Sequence, residues 1–322
     1  MPFCRPAKFF AGVFALSIIL TLSCYASPRD KKTVQAQAHY MMGLFYEHQE
    51  KLDEAIAEYK DALRLEKDIS SIHLRLASVF IRKADTTKAI QELEEAKRLD
   101  PEGLEAGLML ALLYSTQDSS DKANKEYEEV LKRAAQKEPK NIYILKSLAA
   151  LYYQQKKFEN AIEMYSLILT LEKDNYEAIF LLGSLLEESG KRKEAIEKFK
   201  ETLTLNPEYP DALNSLGYVY AEEGVNLAEA EELIRKALLA DPDNGAYIDS
   251  LGWVYFKMSL IDKAIEYLEK ASALLSDPVI FDHLGDAYFK KGISDKALRS
   301  WEKSLSLDAE QQKVKEKLEK LK

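Results

Sequence analysis

The sequence predicts an all-α solenoid of stacked antiparallel helix pairs, closed by a polar-backed helix at its C-terminal end. Three observations carry that expectation. Small residues recur at a period near 34 residues, and prolines recur in phase with them. The 322 residues hold only 12 glycines and 9 prolines, a composition that favours long helices joined by short turns.

The first segment stands apart from the rest. Arg5 and Lys8 precede the apolar run Phe9 to Leu22, FFAGVFALSIILTL, and small residues follow it. A basic flank, a 14-residue apolar stretch and a small-residue exit describe a secretory signal peptide over residues 1–24. The run is shorter than the roughly 20 residues of a spanning helix, which favours a cleaved signal, with an uncleaved anchor as the alternative. Both cysteines, Cys4 and Cys24, lie in this segment, so the body has no pair for an internal disulfide. Residues 25–35 read as a polar tether containing Pro28 and three basic residues.

The repeats occupy 36–309. A small residue followed three places later by a large one occurs at Gly43/Tyr46, Ala77/Phe80, Ala111/Tyr114, Ala149/Tyr152, Gly183/Leu186, Gly217/Tyr220, Gly252/Tyr255 and Gly285/Tyr288. The small residues are spaced 34, 34, 38, 34, 34, 35 and 33 apart. Each is followed twelve or thirteen residues on by an alanine, from Ala55 to Ala297, and four beyond that by a large apolar residue, from Tyr59 to Trp301. Polar or glycine residues break each unit near its middle, as at Ser189-Gly190-Lys191, which makes it an antiparallel helix pair. Small residues let the two helices approach, and large ones fill the hollow between them. One pair cannot bury its apolar face alone, so neighbours must stack. The third unit carries four extra residues around Lys132 to Glu138, about one helical turn, and is expected to lengthen its second helix. Residues 310–322 place Val314, Leu318 and Leu321 on one stripe amid charges and read as the capping helix.

This pattern resembles the tetratricopeptide repeat. Eight repeats are delimited at 36–69, 70–103, 104–141, 142–175, 176–209, 210–244, 245–277 and 278–309, with Pro101, Pro139, Pro207 and Pro242 at the family's closing proline position. The resemblance implies a right-handed solenoid and a non-catalytic protein–protein interaction scaffold that binds a partner segment along its concave face. The lining positions of each first helix, 2, 5, 9, 12 and 13, share one side. By register they place Tyr143, Tyr153, Phe180, Tyr218, Asp249, Trp253, Phe256, Asp282, Asp286 and Phe289 in the groove of repeats four to eight. Tyr40, Leu44, Leu74, Ile81, Leu108 and Leu112 line the earlier repeats. From repeat five onward acids outnumber bases eight to two at these positions, so the expected partner is an apolar segment with basic flanks. The family's clamp for a C-terminal carboxylate is absent: Ala150 stands four residues after Lys146, and Tyr218 four after Asn214.

Other chemistries find no support in the residues. The chain has 45 basic and 54 acidic residues and no long basic run, so nucleic acid is not an expected partner. Asp282 and Asp286 share a helix face while His283 points away, which reads as a solvated surface rather than a metal site. Asp241-Pro-Asp243 falls on a repeat boundary, and His39, His48 and His73 show no ligand spacing. No cofactor, metal or catalytic residue is expected.

The strings YIDSLGWVYFK, AIEYLEKA and DHLGDAYFKKG resemble the closing repeats of exported bacterial tetratricopeptide proteins. That resemblance implies an assembly factor for a secretion, pilus, outer-membrane or polysaccharide-export system in a Gram-negative-type envelope. The alternative is an accessory subunit of an envelope glycan-processing enzyme. LTLSC at residues 20–24 resembles a bacterial lipobox, with Ser23 before the acceptor Cys24. It implies lipidation at Cys24 and, because Tyr25 follows rather than aspartate, anchoring at the outer membrane. Ordinary cleavage after Ala26 would instead release a periplasmic protein.

Overall fold

The close approach of two helices within each repeat is built on the small residue of the first helix. A Cβ placed on Gly43 would lie 2.4 Å from the Tyr59 ring, and one on Gly285 would lie 2.4 Å from the Trp301 ring. At Gly217 and Gly252 the neighbours are Ile234 at 2.7 Å and Leu268 at 2.8 Å. Each large residue therefore sits on bare backbone, and the pair is drawn together more tightly than alanine would permit.

The computed structural model describes residues 28–321, which form two compact units, 28–144 and 145–321. Among these residues there are seventeen helices and no strand. Unit one holds α1 (Pro28–His48), α2 (Leu52–Leu65), α3 (Ser70–Arg82), α4 (Thr86–Leu99), α5 (Glu105–Thr116) and α6 (Ser120–Lys137). Helix α7 (Ile142–Gln154) starts in unit one and lies mostly in unit two. There follow α8 (Phe158–Leu171), α9 (Tyr176–Glu188), α10 (Arg192–Leu205), α11 (Pro210–Glu223), α12 (Leu227–Ala240), α13 (Gly245–Lys257), α14 (Ile261–Leu274), α15 (Pro278–Lys291), α16 (Ser294–Leu307) and α17 (Gln312–Leu321). In unit one α1 packs on α2, α3 on α4 and α5 on α6, and each pair stacks on the next through its second helix. The same pattern joins α9 to α16 in unit two, and α17 packs on α16.

The turn inside each pair is the same device repeated. One residue enters the left-handed region, at Glu50, Ala84, Asp118, Lys156, Gly190, Gly224, Ser259 and Gly292, and in the sixth pair Asn226 does so as well. The next residue donates its N–H back to the carbonyl of the large residue at repeat position 11, as in Lys51 to Tyr46 (3.0 Å), Lys191 to Leu186 (2.7 Å) and Ile293 to Tyr288 (2.9 Å). This is the six-to-one closure of a helix end. Only three of the eight positions use glycine, the residue for which the conformation is free.

Three features refine the sequence reading. Helix α6 has 18 residues against 14 in α2 and α4, so the four extra residues of the third repeat lengthen its second helix. Helix α1 starts at Pro28, so the segment read as a polar tether is helical from that residue on. Proline in the first turn followed by Asp30 gives the preferred chemistry of a helix start. At the other end α17 closes the last repeat with Val314 and Leu318 buried. No helix among the described residues is long and apolar enough to cross a membrane. Residues 1–27, with Cys24, lie outside the described residues.

Candidate partner-binding face

The ten residues assigned to the groove by register do not share one environment. In unit one Tyr143 is 83% exposed at the head of α7, where the Asn141 side chain caps the helix by accepting its backbone N–H at 3.1 Å. In unit two Tyr153 is exposed beside Phe158 (ring centroids 6.1 Å), with its hydroxyl bonded to Glu188. Phe180 is half-buried between Phe199 (5.8 Å) and Tyr209 (5.2 Å, edge-on). Phe289 is exposed with one edge against Trp301 at 5.6 Å.

Four others are drawn into one network across repeats six to eight. The Trp253 indole stacks on the His283 ring at 3.9 Å and on the Phe256 ring at 4.7 Å. Its N–H donates to Glu222 Oε1 at 2.6 Å, and Lys257 Nζ lies 4.8 Å above the ring. His283 Nδ1 lies 3.1 and 3.0 Å from the two carboxylate oxygens of Asp249. Tyr218 closes the cluster with its ring 6.3 Å from His283. Trp253 is only 7% exposed and Asp249 only 5%. Neither is the open partner contact that the register implied: indole and carboxylate are already engaged by the neighbouring repeats.

His283 is a second correction. It was read as pointing away on a solvated face, yet it is buried between α13 and α11. Burial disfavours its charged ring, but the charge and hydrogen bond of Asp249 more than offset this and raise its pKa. Asp249 on α13, Glu222 on α11 and Asp282 on its own helix all act on it, with Asp286 one turn along and Lys317 reaching in from α17. Burial likewise raises the Tyr218 hydroxyl, with Glu222 adding to the effect.

The acid excess expected on this face is also offset from within. Lys317 Nζ lies 2.6 Å from Asp282 and 2.8 Å from Asp286, and Trp301 Nε1 donates to Asp286 at 3.2 Å. Burial raises the pKa of Asp286, while Lys317 pulls the other way. Glu222 receives Arg192 at 3.4 Å and Lys257 at 3.8 Å. Lys317 escaped the register because it comes from α17 rather than from a repeat's first helix. His283 escaped because it stands at repeat position 6, outside the lining set. The one clue was its contrast with the serines, Ser147, Ser215 and Ser250, at that position of repeats four, six and seven.

Exposed apolar side chains occur in both units, Leu239 in unit two among them, and at the lining positions of unit one they include an aliphatic group. Leu112, at repeat position 9 of α5, is 65% exposed, and Leu108 one turn before it is also exposed, as is Ile81 on α3. The nearby charges Glu47 and Arg82 face each other at 3.6 Å. Among the described residues no three His, Cys, Asp or Glu side chains are grouped to hold a metal ion.

Stacked helix pairs with this register define a helical-repeat protein, and comparison gives the family. One model of the tetratricopeptide repeat matches residues 40–103 and 180–246, a second 145–175 and a third 247–274, together more than half of the chain. The chain belongs to the tetratricopeptide-repeat family, whose fold serves generally as a protein-interaction scaffold. A solved tetratricopeptide repeat protein from Parabacteroides merdae superposes with a TM-score of 0.60 at 20% identity, covering 78% of this chain and 98% of that one. A thermophilic member from Thermus thermophilus superposes at 0.50 with 21% identity, covering 56% and 98%. In sequence, a TPR repeat-containing protein of Pseudomonas aeruginosa is 40% identical over 58 residues, 18% of this chain. The match spans only 10% of that relative's length.

Proposed function

We propose that the chain is a non-catalytic scaffold of the bacterial cell envelope that holds an apolar segment of a partner protein. In this reading it is exported, anchored through a lipidated Cys24, and serves the assembly of an envelope system. The observation that carries the binding reading is the open aliphatic surface of unit one, Leu108 and Leu112 with Ile81. Leu108 and Leu112 stand one turn apart on α5 and are both exposed, which makes an adjacent apolar pair rather than a single scattered side chain. Their positions belong to the face that such repeats present to partners. The internal pairing of acids in repeats six to eight favours a partner chosen by apolar fit, without the basic flanks that the acid count implied. The export reading is supported by the apolar run Phe9 to Leu22 and the exit sequence LTLSC.

Capture from envelope membranes with the parent protein and with Leu112→Asp tests the binding reading. The exposed position leaves folding intact, so the variant melts with the parent. A protein retained by the parent and lost from Leu112→Asp is the expected result. An identical captured set from both would overturn the assignment of this face.

A further inference from the structure

Repeat position 10 of the first helix is where a repeat receives its predecessor. Val79 and Leu113 in unit one, and Leu185, Val219, Val254 and Ala287 in unit two, hold that position and none is more than 8% exposed. Phe45 holds it on α1 and is 50% exposed, and Met41, one turn earlier, is 54% exposed. The face that every one of those repeats uses for stacking is thus open on the first.

Helix α1 is built for more than its own repeat. It has 21 residues, against 12 in α5 and 14 in α11, and its extra turns precede Ala36. Along the open side Val34, Ala38, Met41 and Phe45 follow a 4-3-4 spacing, the seam of a two-helix contact. We propose that this seam joins two copies of the chain, α1 packing antiparallel on α1 of a second copy about a two-fold axis between Ala38 and Met41.

Self-complementarity argues for a second copy rather than another occupant. Antiparallel pairing about that axis sets Ala38 opposite Met41 and Val34 opposite Phe45, a small residue against a large one in every layer. The same operation brings the exposed Lys31 and Lys32 of each copy toward the exposed Glu50 beyond the other helix's end, a carboxylate that Arg82 of its own copy also meets. An isologous contact of this kind closes on itself. A head-to-tail stack would need an equally open last repeat, and there α17 already covers the end with Val314 and Leu318. The contact lies away from the face of Leu108 and Leu112, so it stands or falls separately from the partner-binding reading.

Sedimentation of the full chain between about 1 and 100 µM tests the proposal. A single helix from each copy gives a modest interface, so a dissociation constant on the order of 1–10 µM is expected. Phe45→Glu places charges in two layers and raises that constant about a hundredfold or more, so that protomer predominates over most of the range and the dimer gives way at concentrations where the parent is dimeric. Because Phe45 is half-exposed, helix content and melting stay with the parent. Met41→Glu gives the same result if Phe45→Glu perturbs folding, and Lys31→Glu with Lys32→Glu weakens the dimer several-fold at low salt. A parent that remains protomer at 100 µM overturns the proposal and assigns the face to another occupant, residues 1–27 included. A dimer that survives both Phe45→Glu and Met41→Glu overturns it equally.

Discussion

The contact between Gly285 and Trp301 makes the most demanding prediction, because two large effects oppose each other there. Gly285→Ala gains helix propensity worth about 1 kcal/mol. Against this, the new Cβ would lie 2.4 Å from Cδ1 and from Nε1 of Trp301. Ordinary carbon contacts begin near 3.5 Å, so the ring must retreat by roughly 1 Å. It cannot do so freely: Trp301 is buried, and its N–H is bonded to Asp286 at 3.2 Å. Overpacking a rigid, tethered ring costs up to about 3 kcal/mol, leaving a net loss of about 1–2 kcal/mol. For a unit of this size that lowers the melting temperature by about 2–8 °C. The array supplies its own rescue, since repeat two pairs Ala77 with Leu93, both fully buried, at the same two positions. Gly285→Ala combined with Trp301→Leu copies that pair. The double variant is expected to lose about 1–2 kcal/mol less than the sum of the single changes. Stacked repeats can unfold in segments, so the assay must report on this end of the chain. The chain's two tryptophans, Trp253 and Trp301, both lie in the last two repeats, and Trp253 fluorescence follows melting in every variant. A Gly285→Ala protein melting at or above the parent would refute the close-contact argument. Strict additivity in the double variant would refute the pairing of positions.

Two further outcomes follow. The raised pKa of His283 means that its contribution to stability is fully present below about pH 6.5 and is lost as pH rises through the raised value. The parent is therefore expected to lose up to about 1.4 kcal/mol per pH unit above that point relative to His283→Gln, and parallel melting-versus-pH curves would remove the pair from consideration. Metabolic labelling with a fatty-acid probe is expected to mark the parent and not Cys24→Ala; equal labelling of both, or of neither, would show a released or uncleaved form instead.

The repeat register was legible because a physical constraint is stamped on the sequence at a fixed interval. Gly43, Gly217, Gly252 and Gly285 are small since each lies against a large side chain of the partnering helix, and no other arrangement tolerates the distances of 2.4 to 2.8 Å. The environments of the groove residues were not legible in the same way. They depend on how far one repeat is offset from the next, which no single repeat records. Asp249 at position 5 of the seventh repeat meets His283 at position 6 of the eighth, and Trp253 is covered by that same ring. Lys317 neutralises two groove acids from a helix outside the repeats altogether. The start of α1 was misread for a different reason: Pro28 and Asp30 are helix-start residues, but the lysines after them look like a solvated linker until helical spacing aligns Val34, Ala38, Met41 and Phe45.

The internal pairing of the groove acids bears on how a partner is held. A net charge of −9 with eight acids on lining positions implies an electrostatic trap for basic segments. In the folded chain, however, Asp249, Asp282, Asp286 and Glu222 each face a base of the same chain at 3.4 Å or less. At these four of the eight acids a basic partner would have to displace Lys317, Arg192 or His283, exchanging one ion pair for another with little net gain. The open leucines of unit one carry no such competition, since their burial displaces only water. Binding driven by Leu108 and Leu112 therefore varies little with salt, because no counterions or ion pairs are exchanged. If a captured partner instead dissociated steeply as salt rose, charge would be doing the holding, and the contact would have to lie on an acidic surface other than these four paired carboxylates.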